Sequence, residues 1–222
     1  DVYKRQPNGT SSLYKEFPDR CFDVGIAEAN MVGVAAGLAA YGYKPIVVTF
    51  APFATRRVCD QIAVSVAYAK QNVKIVGTDP GITAELNGGT HMSFEDIATL
   101  RSIPTMTIYD AVDDTQVYQA IKQIMNTDGP CYIRMPRKAA QPVYDENYKF
   151  ALNKADVITK GNDITIVASG IMVAESLKAV LKLKEEGISA ELISANTIKP
   201  LDEETILNSI KKTCLLYTSP SP

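Results

Sequence analysis

The sequence is short of the residues that build metal and redox centres. It carries one histidine, His91, and four cysteines (Cys21, Cys59, Cys131 and Cys214) that lie far apart in no paired motif. Zinc ligation needs clustered cysteine and histidine, so no zinc site is expected, and dispersed cysteines point to a reduced, cytoplasmic protein. Long apolar runs are also missing. The longest uncharged stretch, Ala29 to Tyr43, holds Asn30 and several glycines and falls short of the roughly 20 apolar residues that a membrane span requires. No signal peptide opens the chain. Basic runs are absent, and 23 Lys and Arg against 25 Asp and Glu leave a formal net charge of −2. Neither nucleic acid nor an anionic membrane is an expected partner. A P-loop lysine and a dinucleotide-binding glycine fingerprint are lacking as well, so phosphate cradling is unsupported.

What is present is a core-forming chain of 222 residues, 46% hydrophobic, enough for one full domain and part of another. Short β-rich runs alternate with helical periodicity. The runs at 21–25, 45–50, 73–78, 105–110 and 131–135 read as strands. Residues 27–41 read as a helix, and Val58, Ile62 and Val66 share one face of the next. Ser93 and Asp96 form a Ser–x–x–Asp pattern suited to capping a helix. This alternation predicts an α/β fold with a parallel sheet flanked by helices. The segment from 136 turns polar, with two prolines and no period. We therefore expect a first domain at 1–138, a linker at 139–155 and a partial second α/β domain at 156–222. The end segments DVYKRQ and CLLYTSPSP do not continue the patterns beside them. They resemble translated sequencing-adapter read-through, and the natural chain is expected to extend past both.

Four clusters can carry chemistry. Glu28 is the only charged side chain between Asp23 and Lys44, in a helix of small residues. A carboxylate in such surroundings is costly unless paired or hydrogen-bonded, although an acid in a first helical turn also simply complements the helix dipole. Gly33 and Gly37 on that helix would let another backbone approach closely. The glycine-rich loop TDPGITAELNGGTHM (78–92) follows a strand and ends at His91. That is where open α/β sheets bind ligands, and the histidine is either a proton carrier or a loop brace. Phe50 and Phe53 sit where a strand gives way to a helix, as walls for a flat ring or as core. Arg56 and Arg57 next to them read as a solvated helix start, and Arg137 reads as an anion contact or an exposed turn residue.

Together these segments resemble the pyrimidine-binding domain of transketolase, in the short form found as a separate C-terminal subunit. PDRCFDVGIAEANMVGVAAGLAAYG, TFAPFATRRVCDQI and GITAELNGGTHMSFEDIATLRSIP carry the likeness, and ISAELISANTIKPLDEETI resembles the start of the family's C-terminal domain. The likeness covers residues 10–213. It implies thiamine diphosphate and magnesium as cofactors, and transfer of a two-carbon ketol unit from a ketose phosphate to an aldose phosphate. By the same resemblance Glu28 hydrogen-bonds the cofactor's aminopyrimidine, Phe50 stacks on it and Phe53 walls its pocket. His91 faces the substrate, with Asp79, Asn87 and Arg137 also on the substrate side. Asp79 stands where transketolases commonly carry histidine, Asn87 replaces an aspartate, and Arg56 replaces a third aromatic.

The family's Gly–Asp–Gly motif for the diphosphate and metal is absent. The resemblance therefore implies a diphosphate-binding N-terminal subunit as partner, in a homodimeric or heterotetrameric assembly. It also implies that the first strand and helix of the pyrimidine domain are missing. The β subunit of α-keto-acid dehydrogenases and deoxyxylulose-phosphate synthase share the activating glutamate and remain alternatives. A non-catalytic assembly subunit is a third, less compatible with the presence of Glu28.

Overall fold

A computed structural model describes residues 2–3, 11–136, 140–213 and 215–218. Arg137, expected on the substrate side, lies outside the described residues. In chain order the elements are β1 (Val2–Tyr3), α1 (Ser11–Glu16), β2 (Cys21–Phe22), α2 (Glu28–Ala40), β3 (Ile46–Phe50), α3 (Ala51–Ala54), α4 (Cys59–Gln61), β4 (Lys74–Thr78), α5 (Asp96–Arg101), β5 (Thr107–Asp110), α6 (Asp114–Asn126) and β6 (Cys131–Met135). They continue with β7 (Asp156–Thr159), β8 (Ile164–Ala168), α7 (Met172–Glu185), β9 (Ala190–Ser194), β10 (Thr197–Lys199), α8 (Glu203–Ile210) and β11 (Leu215–Thr218). The described residues form two compact units, one drawn from 1–108 and 125–138 and the other from 109–124 and 139–221.

In the first unit β3 lies between β1 and β4, with β6 beyond β4 and β2 beyond β1. Every one of these pairings is parallel. A parallel sheet covered on both faces needs strands that are apolar throughout, and β4 and β6 are buried over their first four residues. Lys74 opens β4 nearly without exposure. Its ammonium donates to the carbonyls of Thr127 at 2.8 Å and Gly129 at 2.7 Å, and burial lowers its pKa below the ordinary lysine value. Burial also pushes the neighbouring Cys131 thiol up to about 12, against the pull of Lys74. Gly77 is required for packing, because a Cβ there would lie 2.7 Å from Cε2 of Tyr132.

Helix α2 buries Met31, Val32, Ala35 and Ala36. Its small-residue face is open instead: nothing among the described residues comes within 4 Å of a Cβ built at Gly33 or Gly37. The close approach expected for those glycines is not made among the described residues. Val58, Ile62 and Val66 are fully buried as their spacing predicts. The backbone reaches them through a 3₁₀ turn at Arg56–Val58, α4 and a π-helical segment at Ile62–Tyr68, rather than one regular helix.

In the second unit β8 pairs in parallel with β9 and β11, and β7 runs antiparallel to β9. Val173 and Val180 of α7 pack with Ile166, Ala168 and Leu192. The described part of the expected linker, 140–155, forms neither helix nor strand but is fastened to α6. Gln119 accepts from the Phe150 N–H at 2.9 Å and donates to the Tyr148 carbonyl; Gln123 donates to the Phe150 carbonyl at 2.6 Å and accepts from the Leu152 N–H at 2.9 Å. Glutamines four apart share a helix face, so this polar stretch is a strap with its backbone groups satisfied.

Both unusual end segments contribute strands, β1 beside β3 and β11 beside β8. Strand pairing runs through backbone groups and accepts any extended, β-prone segment, and β11 is exposed along its whole length. No helix among the described residues is long and apolar enough to cross a membrane. Substituting Gly77→Ala is predicted to destabilise the first unit by about 1–3 kcal/mol, the usual range for overpacking. A urea melt checks this, and an unchanged midpoint would mean that the Tyr132 ring moves aside freely.

Candidate active site

The candidate site is built where β3 ends. Phe50 leaves β3 with an extended backbone, and Pro52 sits in the first turn of α3, where proline's fixed φ and missing N–H suit a helix start. The turn presents Phe50 and Phe53 side by side, both half-buried, with ring centroids 6.0 Å apart and nearly perpendicular. After α3 the chain breaks at Thr55, whose hydroxyl donates back to the Ala51 carbonyl at 2.7 Å. The 3₁₀ turn that follows brings Arg57 over the ring of Phe53, its guanidinium carbon 3.8 Å from the centroid.

Arg57 also reaches Glu28. Its Nη1 donates to Glu28 Oε1 at 2.9 Å. Glu28 is the first residue of α2 and only 8% exposed. The helix N-terminus and the guanidinium both place positive charge beside it. His91 completes the group. Its ring meets Phe50 at 5.1 Å and Phe53 at 5.0 Å between centroids, edge to face in both cases. The Thr90 hydroxyl lies 2.9 Å from its Nδ1. Four residues singled out in the sequence, Glu28, Phe50, Phe53 and His91, are thus joined in one contact chain. The link that joins Glu28 to the aromatics is Arg57, which sequence reasoning had left to solvent. No local spacing signals this contact, because the helix ends at Ala54 and the non-helical Thr55 separates Phe53 from Arg57.

Asp79 and Asn87 belong to the loop that carries His91. Asp79 closes β4, fully buried, with its N–H donating to the Met135 carbonyl at 3.1 Å. Asn87 is half-buried, and its amide nitrogen has no hydrogen-bond partner. The loop is bent through left-handed backbone at Asp79 (φ 55°), Gly81 (φ 56°), Glu85 (φ 44°) and Gly88 (φ 75°). Each non-glycine residue so placed costs roughly 1–3 kcal/mol, and such strain collects at functional loops.

That strain is held against a buried anchor. Asp96, at the start of α5, accepts from Arg134 Nε at 2.8 Å and from the Tyr132 hydroxyl at 2.9 Å, with all three side chains almost without exposure. Ser93 does not cap α5 as its spacing suggested. Helix α5 has no side-chain cap, Glu95 occupies the cap position, and the buried Ser93 hydroxyl has no partner. Asp96 is drawn to the sheet by Arg134 and Tyr132, so the reciprocal capping arrangement cannot form. Arg56 pairs with Glu95 at 3.0 Å on the surface.

Comparison with known proteins decides the family. The domain described as "Transketolase, pyrimidine binding domain" matches residues 2–142, and "Transketolase, C-terminal domain" matches residues 153–220. The chain belongs to the transketolase family.

Among its transketolase relatives, a 6-deoxy-6-sulfo-D-fructose transketolase subunit of Clostridium sp. (strain MSTE9) is 54% identical over 205 residues, covering 92% of this chain and 64% of that protein. A putative transketolase C-terminal section of Methanocaldococcus jannaschii is 44% identical over 202 residues, 90% of this chain and 64% of that one. The chain thus spans just under two thirds of the length of these relatives. In structure it matches a split-gene transketolase described as an inactive β4 tetramer, with a TM-score of 0.89 and 36% identity, covering 98% of this chain and 72% of that one. The mixed α/β fold agrees with what the sequence patterns predict, and the pairing of a pyrimidine-binding with a C-terminal transketolase domain agrees with what the resemblance implies.

The buried anchor beneath the transketolase loop gives a stability test. Arg134→Met strands the Asp96 carboxylate in the interior and is predicted to cost about 3–5 kcal/mol, the range for removing one partner of a buried ion pair. Equilibrium denaturation measures it. A loss no larger than that of an ordinary surface substitution would show that Asp96 is solvated by other means.

Proposed function

We propose that this chain is the pyrimidine-binding half of a thiamine diphosphate-dependent transketolase. It would transfer a two-carbon ketol unit from a ketose phosphate to an aldose phosphate once a diphosphate-binding partner completes the site. The observation that carries this reading is the buried Glu28 carboxylate at the start of α2, linked through Arg57 and Phe53 to Phe50 and His91. That donor set fits an aminopyrimidine: aromatic faces for a flat ring, and a buried carboxylate for a ring nitrogen.

When bound, thiamine diphosphate supplies the carbanion chemistry that ketol transfer needs. In our reading Glu28 holds or shares a proton at the pyrimidine ring nitrogen. Phe50 stacks on the ring, and Phe53 excludes water from one side of it. His91 faces the substrate. Asn87, Asp79 and Arg137 are assigned to the substrate side.

The diphosphate and its magnesium are assigned to the N-terminal partner subunit, since the resemblance gives them to a Gly–Asp–Gly motif that this sequence lacks. The open small-residue face of α2 suits a subunit contact in a homodimeric or heterotetrameric assembly. The free thiols of Cys21, Cys59 and Cys131 suit a reducing compartment, and we assign the protein to the cytoplasm. The 54% identical relative is named for a sulfonated fructose, so ketoses ending in a sulfonate belong beside ketose phosphates among the donors to be tried.

The test is ketol transfer by the chain mixed with a diphosphate-binding transketolase subunit, with keto-acid decarboxylation assayed in parallel. Glu28→Gln is expected to lower kcat by roughly 10²–10⁴-fold, the range for losing a positioned proton-transfer group. Near-normal ketol transfer in that variant would contradict the proposal, as would decarboxylation without ketol transfer in the unaltered pair.

A further inference from the structure

We infer that Arg57 is a positioning residue for Glu28, an inference that rests on the proposed thiamine-dependent reading of the site. Glu28 opens α2, where its side chain has several rotamers open to it. Among the described residues Arg57 is the one side chain bonded to its carboxylate, through Nη1 to Oε1 at 2.9 Å. A single charge-assisted bond from a flexible arginine would fix little by itself. Here the guanidinium is restrained a second time by lying 3.8 Å above the face of Phe53. A planar cation on an aromatic face keeps its plane while its N–H groups remain free to donate sideways. The arrangement takes one carboxylate oxygen and leaves Oε2 for another donor. Phe53 thereby carries the aromatic wall and the support for the arginine that holds the acid in line with it.

The three residues come from separate elements: Glu28 from the start of α2, Phe53 from α3, and Arg57 from the turn after it. The restraint is tertiary, and its loss alters the direction of the carboxylate without opening the core, because the Arg57 side chain is 44% exposed. A lysine keeps the charge but loses the flat stacking surface and the fork. A methionine keeps length and apolar contact and loses both.

Arg57→Met and Arg57→Lys, each combined with the diphosphate-binding subunit, decide the matter. The expected result is a fall in kcat of at least the order of 10-fold in the methionine variant, since displacing a reacting group by about an ångström can cost up to 10²-fold. The lysine variant should recover part of that loss, and KM for the ketose should stay unchanged in both. Calorimetric titration of thiamine diphosphate without substrate should show weakened binding in the same order, and the thermal midpoint of the lysine variant, which keeps a charge beside Glu28, should stay close to that of the unaltered chain. Unchanged kcat and cofactor affinity in Arg57→Met would overturn the inference. So would an equal rise in the ketose KM with kcat intact, which would place Arg57 on the substrate. If Arg57→Met does not fold, Arg57→Lys carries the same decision. These outcomes differ from failure of the functional reading, in which Glu28→Gln itself remains active and both proposals fall.

Discussion

A carboxylate with 8% exposure is costly unless it is paired or hydrogen-bonded. Everything notable about the site follows from how that requirement is met at Glu28. The start of α2 gives it a favourable dipole, and Arg57 gives it a direct partner. Arg57 is available because the chain breaks at Thr55 and turns tightly after α3. The same turn displays Phe53, and Phe53 in turn meets Phe50 and His91. One compensated charge therefore ties helix α2, the end of β3 and the loop after β4 into a single surface. The loop pays for its left-handed residues through an anchor of its own, the buried contact of Asp96 with Arg134 and Tyr132.

Much of this was legible in the sequence, for identifiable reasons. Strands and helices announce themselves by periods of two and 3.6, and a parallel sheet by strands that are apolar on both faces. Glu28 stood out because nothing else near it is charged, Phe50 and Phe53 because they sit where a strand gives way to a helix, and His91 because it closes a glycine-rich loop after a strand. The sequence was silent where the outcome depends on tertiary partners. The role of Arg57 needs the turn at Thr55 to exist first. Ser93 obeys the local capping pattern, but a buried partner for Asp96 outweighs a local hydrogen bond. The stretch 140–155 looked like a free linker, because the two glutamines that fasten it lie on a helix upstream.

The open face of α2 and the missing diphosphate motif point in the same direction. Gly33 and Gly37 leave room that no described residue fills, and the matched relatives are longer than this chain. In the proposed reading this site is one wall of a cofactor pocket, with a carboxylate and aromatic faces for the pyrimidine end and the diphosphate end left to the partner.

That division of labour is open to direct measurement. Thiamine diphosphate, with magnesium, is titrated calorimetrically into this chain alone, into the diphosphate-binding subunit alone, and into the two combined. The account predicts saturable, tight binding in the combined sample and markedly weaker binding to either part. Equally tight binding to this chain alone, or no binding to the combined subunits, would contradict it.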